Sequence, residues 1–347
     1  MTQAQSSRDA STEGGGPVGQ ETASGAPARL SARFMRWWRP KGMWQRGIVT
    51  AVLALVLTGL LVFHADVPNR IGNLGSLLET FLPWLGLAVP VLLVVAVLRR
   101  SVTALIAVLL PAAVWLNLFG GLLTDKSGTG GDLTVLTHNV NAENPDPDGT
   151  AKDLVAAHAG LVALEELPAN EVPRYSRDLA AAYPYHSVQG TVGLWSKYPL
   201  SSVRPVDIRM GWTRAMRATA DTPHGQVAVY VAHLPSVRVK FDAGFTAGQR
   251  DQAANALGEA IAAERLPDVV LLGDLNGTMN DRALASVTSQ MRSTQGAAGN
   301  GMGFSWPASF PMARIDQIMT KGVTPTDAWT LPQTGSDHLP IAAHIEL

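Results

Sequence analysis

Residues 269–276 read VVLLGDLN: four aliphatic residues in succession, then a glycine, an acid, a leucine and an amide. A short apolar run closed by turn-forming residues is the pattern of a strand buried on both faces, so the acid and amide fall at the strand's carboxyl end. The arrangement recurs along the chain. LTVLTHNV (133–140) carries Asn139 near its end, LVALEE (161–166) closes on Glu165 and Glu166, and VAVYVAH (227–233) closes on His233. Further strand-like runs fall at 191–195, 315–319 and 341–345, and small and apolar residues recur at helical spacing over 245–264. Residues 132–347 are therefore expected to form an α/β domain. Its polar residues gather at strand ends, where converging side chains build sites. Asp316 in RIDQI joins them, as do Asp337 and His338 in GSDHLP just ahead of the last strand.

Upstream the composition changes. Residues 1–28 are rich in Ser, Gly, Ala, Thr and Gln, with too little apolar surface to offset chain entropy. Arg29, Arg33, Arg36, Arg39, Lys41 and Arg46 follow with no acid among them, interleaved with Trp37, Trp38 and Trp44. Residues 1–46 thus read as a disordered, basic cytoplasmic N-terminus that ends in an interfacial aromatic segment. Three uncharged stretches come next, at about 47–64, 80–98 and 101–123, each about the length a hydrocarbon core requires. They predict three transmembrane helices, with Pro90 and Pro111 tolerable inside lipid. Lys and Arg are retained on the cytoplasmic side. The basic cluster before the first stretch and Arg99 and Arg100 after the second therefore put the N-terminus inside. Three crossings then deliver the domain, across a flexible linker at 124–131, to the outside of the cell membrane.

Cysteine is absent, which excludes disulfides, thiolate metal sites and a cysteine nucleophile. From Thr124 onward 17 Lys and Arg face 23 Asp and Glu, a net charge of about −6. That balance offers no broad attraction to nucleic acid. The strand-end inventory of carboxylates, amides and imidazoles suits a hard divalent cation such as Mg²⁺ or Mn²⁺, which selects oxygen ligands. It also supplies what phosphate ester hydrolysis needs: charge stabilisation, an activated water and assistance to the leaving oxygen. Taken singly, Asn139, Asp274, Asn276 and Asp337 are ordinary turn and cap formers; the ordered set is what points to a site.

That ordered set, T-H-N-V, L-E-E, A-H-L-P, G-D-L-N, R-I-D-Q-I and S-D-H-L-P, resembles the signature of the endonuclease/exonuclease/phosphatase superfamily. The likeness spans about 215 residues and includes GLWSKYPL (193–200) and FSWP (304–307). It implies a four-layer sandwich of two mixed β-sheets flanked by helices, preceded here by the three membrane helices, and a phosphodiesterase or phosphomonoesterase activity. Carried over, it makes Glu166 the principal metal ligand, with Asn139 and Asp337 close to the metal or its waters. Asp274 and Asn276 orient or deprotonate the attacking water. His338 contacts the scissile phosphate as acid or base, held in its tautomer by Asp316, and His233 donates to a phosphate oxygen. The resemblance leaves open whether Asp274 or His338 is the base.

Two departures stand out. His138 occupies a position where the family usually has an aromatic or small polar residue, and either adds a ligand or packs. Glu165 replaces a frequent glutamine and is expected to point to solvent rather than hold a second metal. His158, His186, His224 and His344 fit no motif. Arg214 and Arg217 in WTRAMRA read equally as phosphate binders or a solvated pair, and GMGFSWPASFPM (301–312) as an apolar rim or as core.

The layout of membrane helices followed by such a domain also resembles actinomycete membrane proteins associated with resistance to teicoplanin-type glycopeptide antibiotics. This implies a lipid-linked phosphate or pyrophosphate of cell-wall synthesis as substrate, such as an undecaprenyl carrier. The alternatives are an extracytoplasmic nuclease, a phospholipid phosphodiesterase and a non-catalytic binding module.

Overall fold

The structure is a computed structural model that describes residues 42–69, 73–236 and 244–347, with the side chains of 244–247 left aside. The expected disorder of residues 1–28 and most of the basic segment lie outside the described residues.

The C-terminal domain contains β1 (Leu133–Asn139), α5 (Pro147–Ala156), β2 (Leu161–Glu165), α6 (Val172–Leu179), β3 (Tyr185–Gln189), β4 (Val192–Ser196), β5 (Leu200–Pro205), β6 (Ala215–Thr222) and β7 (Gly225–Ala232). It continues through α7 (Gly244–Ala262), β8 (Val269–Asp274), α8 (Ala285–Thr288), β9 (Arg292–Ser293), α9 (Thr294–Ala298), β10 (Asp316–Lys321), β11 (Thr324–Thr330) and β12 (Ile341–Glu346). Two six-stranded sheets result, in the orders β11-β12-β1-β2-β4-β3 and β5-β6-β7-β8-β10-β9. Each is mixed: β1 runs parallel to β2 and β7 parallel to β8, while the other pairings are antiparallel.

Period-two alternation explains the layering. Val227, Val229 and Val231 of β7 face the other sheet, packing with Val135 of β1 and Leu194 of β4. Ala228, Tyr230 and Ala232 of the same strand face outward onto Ala253, Ala254, Leu257 and Ile261 of α7. On the opposite side, Leu136, Val162 and Trp195 cover α5 and α6 through Leu154, Tyr175 and Leu179. Helices, sheet, sheet and helices form the expected four layers.

The apolar region begins with α1 (Ile48–Val62) and α2 (Leu74–Thr80), passes through a 3₁₀ turn at Leu82–Leu87, and continues as α3 (Ala88–Leu98) and α4 (Val102–Phe119). Only Val102–Leu122 is, among the described residues, a single helix long and apolar enough to cross a membrane. The stretch expected as one span over 80–98 begins at a bend: the helical runs Leu74–Thr80 and Leu82–Leu98 meet at 69°. Pro83 lies in the first turn of the 3₁₀ segment, where its missing N–H ends one helix and starts the next. Ile48–Val62 is a shorter apolar helix.

This region docks on the C-terminal domain. Trp84 Nε1 donates to the Met312 carbonyl at 2.8 Å and its ring stacks on Phe304 at 5.7 Å. Thr278 Oγ1 donates to the Glu79 carbonyl, and Arg250 Nη2 to Ser76 Oγ. Phe304 and Met312 thus belong to the junction, Met302 packs against the apolar helices, and Phe310 remains 64% exposed. The junction extends into residues 126–128, where the backbone N–H groups of Lys126 and Gly128 bond to the Gly299 and Thr326 carbonyls.

Candidate active site

The sheet registers bring the polar strand ends together. Asn139 is paired with Glu165 across the parallel β1/β2 ladder, and Asp316 with Asp274 across the antiparallel β10/β8 ladder. Because β10 runs opposite to β8, its first residue lies beside the last residue of β8. Ser336 Oγ donates to the Asn139 carbonyl at 2.6 Å and accepts from the His338 N–H. The loop that carries Asp337 and His338 is thereby tied to the end of β1.

Asp274 is the hub. Its Oδ2 accepts from Asn139 Nδ2 at 3.0 Å and from Asn276 Nδ2 at 3.1 Å, while Oδ1 accepts from the Asn276 N–H. The carboxyl is 1% exposed. Burial pushes it up to about 7, reinforced by the charge of Asp316 and opposed by His338 and the two amides. His338 Nδ1 lies 2.9 Å from Asp316 Oδ2, and Ser305 Oγ donates to the same oxygen. Burial lowers the imidazole's basicity, but the charge and hydrogen bond of Asp316 outweigh it and raise His338 to about 10. The ring is therefore an imidazolium near neutral pH, with its Nε2 3.9 Å from Asp274. His233 is held neutral, chiefly by burial and then by the nearby Arg214 and His338; its Nε2 lies 3.4 Å from Glu166 and 3.7 Å from Asp274.

Glu166, Asp274, Asn276, Asp337 and His338 line a cavity of about 360 Å³. Asn139, His233 and Asp316 stand behind them through the contacts just described. Glu166 has φ +53° and Asn276 φ +47°, a left-handed conformation uncommon outside glycine and often found at functional sites. At Glu166 it turns the side chain out of the strand's alternation.

Glu165 departs from expectation. It is fully buried, donated to by Thr137 Oγ1 at 2.7 Å, and pushed well up by burial, so it neither faces solvent nor reaches the cavity. As the last residue of β2 it follows the pleat inward. His138 is likewise buried, with Nε2 2.9 Å from Thr334 Oγ1 and its basicity lowered to about 3 by burial, and it is not among the residues lining the cavity.

Several residues here carry no sequence motif. Arg214 immediately precedes β6 and Arg217 lies within it, three residues on, so extended backbone sends their side chains to opposite faces. Arg217 binds Glu264 on the outer side. Arg214 sits over Trp212 and feels the charges of Glu166 and Asp274, with its Nε lacking a hydrogen-bond partner among the described residues. The rest of the cavity wall comes from Ser76, Leu77, Thr80 and Phe81 of the apolar region, with Ser236, Trp306 and Ile315. Only the WTRAMRA pairing could have marked Arg214. Nothing distinguishes Leu77 and Phe81 from other residues of an apolar helix.

The tightest set of possible ligand atoms is Asp274, Asp316 and His338, but His338 and Asp316 are committed to each other. The donor set facing the cavity fits a hard divalent cation better. Glu166 has a 3.4 Å contact with His233 and Asp337 a 3.4 Å contact with Trp306, and both present carboxylate oxygens to the cavity.

Comparison with solved structures shows the fold more widely. The chain matches D. rerio TDP2 in complex with a single-strand DNA product (16% identity, 62% of this chain, 99% of that one, TM-score 0.53). It also matches the mannosyl-6-phosphatase Bt3783 of Bacteroides thetaiotaomicron (14% identity, 62% and 100%, TM-score 0.50) and the Staphylococcus aureus beta toxin (15%, 61% and 99%, TM-score 0.50). A search of curated proteins returns no match. At such identities the neighbours speak to fold alone, and sequence matching over residues 136–338 supplies the assignment. With its paired sheets and its carboxylate-lined cavity, the chain belongs to the Endonuclease/Exonuclease/phosphatase family of metal-dependent phosphoesterases.

Proposed function

We propose that this phosphoesterase hydrolyses a lipid-linked phosphate or pyrophosphate at the outer face of the cell membrane, in which residues 47–123 are embedded as three helices. The observation that carries this reading is the mixed make-up of the cavity, which is lined both by carboxylates, an amide and an imidazolium and by Leu77, Phe81, Trp306 and Ile315. A phosphate bonded to a hydrocarbon matches both halves. Two of those apolar residues belong to the segment leading into α3, so the cavity adjoins the apolar helices.

The helix surfaces agree with a lipid environment. Val52, Leu55, Val91, Val94, Ile106 and Leu109 are each more than 50% exposed, an all-round apolar surface that suits lipid better than water. Arg99 Nε donates to the Arg46 carbonyl, so the two basic ends lie together, while Ala65, Val67, Ser76 and Glu79 meet the C-terminal domain. That arrangement favours a cytoplasmic N-terminus and an extracytoplasmic catalytic domain.

In the mechanism we infer, Glu166 and Asp337, with Asn139 nearby, hold Mg²⁺ or Mn²⁺. When bound, the ion neutralises charge on the phosphate oxygens. Asp274, whose proton affinity is raised to near neutrality, takes a proton from the attacking water, and Asn276 holds its carboxylate in place. As the water oxygen bonds to phosphorus, the bond from phosphorus to the leaving oxygen breaks. His338, kept protonated by Asp316, delivers a proton to that oxygen. His233, 3.4 Å from Glu166, would donate to a phosphate oxygen.

The test is metal-dependent hydrolysis by the full chain in detergent, read as phosphate release from undecaprenyl phosphate and undecaprenyl diphosphate, as headgroup release from a phospholipid diester and as strand cleavage of plasmid DNA. Release from the prenyl compounds that disappears in Glu166→Ala supports the reading. Cleavage confined to DNA or to the diester replaces it with the nuclease or phosphodiesterase alternative. Contribution to glycopeptide resistance is tested by expression in a susceptible host. Resistance that survives Asp274→Ala with His338→Ala would instead support a non-catalytic binding module.

A further inference from the structure

A second cavity, also of about 360 Å³, lies where the end of α4 meets the C-terminal domain. Three cations line it, Lys126, Arg292 and Arg314, and no carboxylate does. None of the three forms a salt bridge among the described residues. Leu118 and Leu122, on the last turns of the long apolar helix, form its apolar side, and Asn280 adds a polar group.

Arg314 is the decisive residue. It is 9% exposed, yet its side chain has a single 3.5 Å contact, from Nη1 to the Met302 carbonyl. A guanidinium presents five donors in a rigid fork, and burying its charge without a counterion is costly. Burial alone brings its affinity for a proton down to about 10. Lys126 donates to the Gly121 and Gly296 carbonyls, both at 2.6 Å, which fixes its ammonium between two residues that also line the cavity. Burial and then repulsion from Arg314 and Arg292 lower its proton affinity. Folding therefore gathers three like charges around one space and leaves their neutralisation to something that enters it.

We propose that this cavity binds the phosphate of an anionic membrane lipid, with the lipid's acyl chains lying along Leu118 and Leu122. The ligand chemistry is a phosphate anion held by a buried arginine and two further cations. The lipid source rests on the reading of Val102–Leu122 as a membrane-crossing helix, whose outer end this cavity marks. The site is separate from the catalytic cavity: the two share no lining residue.

The test is native mass spectrometry of the full chain released from nonionic detergent, titrated with phosphatidylglycerol, phosphatidylcholine or inorganic phosphate. Wild type should retain one phosphatidylglycerol in preference to phosphatidylcholine. Replacing two cations, with Lys126→Gln and Arg292→Gln together, should weaken that binding about tenfold or more, and added salt should weaken it further. Lys126 is half-buried and Arg292 exposed, so the pair is tolerable to folding; Arg314→Lys, which keeps a charge but loses the fork, is the second variant and should give an intermediate loss. Equal retention of both lipids, or identical binding in wild type and the double variant, overturns the proposal. Phosphate binding without lipid binding also overturns it, in favour of a soluble anion. Alkaline extraction of the chain from membranes into the supernatant would sink the membrane reading itself, a failure separate from loss of the cation site.

Discussion

Asn139 Nδ2 donates to Asp274 Oδ2 across 3.0 Å, and that bond joins the last residue of β1 in one sheet to the last residue of β8 in the other. The two sheets meet mainly through an apolar core, and at the site this amide joins His338–Asp316 and His233–Glu166 as a polar tie between them. It also helps keep the Asp274 carboxylate aligned. Removing it in Asn139→Ala leaves a buried acceptor less satisfied, which costs about 1–3 kcal/mol of stability. Turnover is expected to fall about a hundredfold through loss of positioning. Asn139→Asp, which sets a second carboxylate against Asp274, should lose more. Steady-state kinetics beside a thermal scan separate the two effects, and undiminished turnover in a folded Asn139→Ala protein would remove Asn139 from the machinery.

The apolar wall supplied by Leu77 and Phe81 should determine which phosphate ester is accepted. Burying a leucine or phenylalanine against hydrocarbon contributes roughly 1.5–3 kcal/mol. Leu77→Ser and Phe81→Ser are therefore each expected to lower kcat/KM for a prenyl phosphate by about tenfold or more, while ethyl phosphate is cleaved as by wild type. Equal losses on both substrates would show that the wall acts on the fold rather than on specificity.

The central strands were legible because they are buried on both faces and read as apolar runs: β1, β2, β4, β7, β8, β10 and β12 coincide with such stretches. The edge strands were not. Tyr185–Gln189 and Leu200–Pro205 are largely exposed and polar, and lack the apolar run. Ala215–Thr222 is buried through most of its length but is built from Ala, Met, Arg and Thr, small or polar residues that give no strand pattern. The polar strand ends were readable in chain order. The direction of each side chain was not: Glu165 and Glu166 are adjacent, and only the left-handed backbone at Glu166 sends it to the cavity while Glu165 bonds to Thr137. The wall from Leu77 and Phe81 depends on docking between segments about two hundred residues apart, which no local pattern records.

Gly273 is expected to tolerate no side chain. It has φ +150°, and a Cβ there would overlap the Ala232 carbonyl on the neighbouring strand β7. The close approach lets Leu234 N–H reach the Asp274 carbonyl, which fixes the spacing between His233 and Asp274. Gly273→Ala should destabilise the protein by roughly 3 kcal/mol through backbone displacement. Such variants should be recovered in low yield and melt early, and a wild-type melting temperature would show that the strands separate without penalty.

Arg217 and Glu264 provide a pH-dependent contribution far from the chemistry. Their side chains are 7% and 5% exposed, with Nε to Oε2 at 2.9 Å, and Tyr230 also donates to Glu264. Burial pushes the Glu264 carboxyl up, but the hydrogen bonds from Arg217, the Leu266 and Arg265 N–H groups and Tyr230 more than offset this and hold it at about 2, below its ordinary 4.5. A group whose folded value is depressed stabilises the fold above its unfolded value and loses that contribution as pH falls toward the folded one. The contribution, roughly 3 kcal/mol, should be complete above about pH 5 and decline from there to about pH 2. Glu264→Gln also strands the buried guanidinium, so it should melt well below wild type at neutral pH, with the gap narrowing as the solution is acidified. A gap that stays constant across that range would mean the carboxylate's charge is not what holds Arg217 in place.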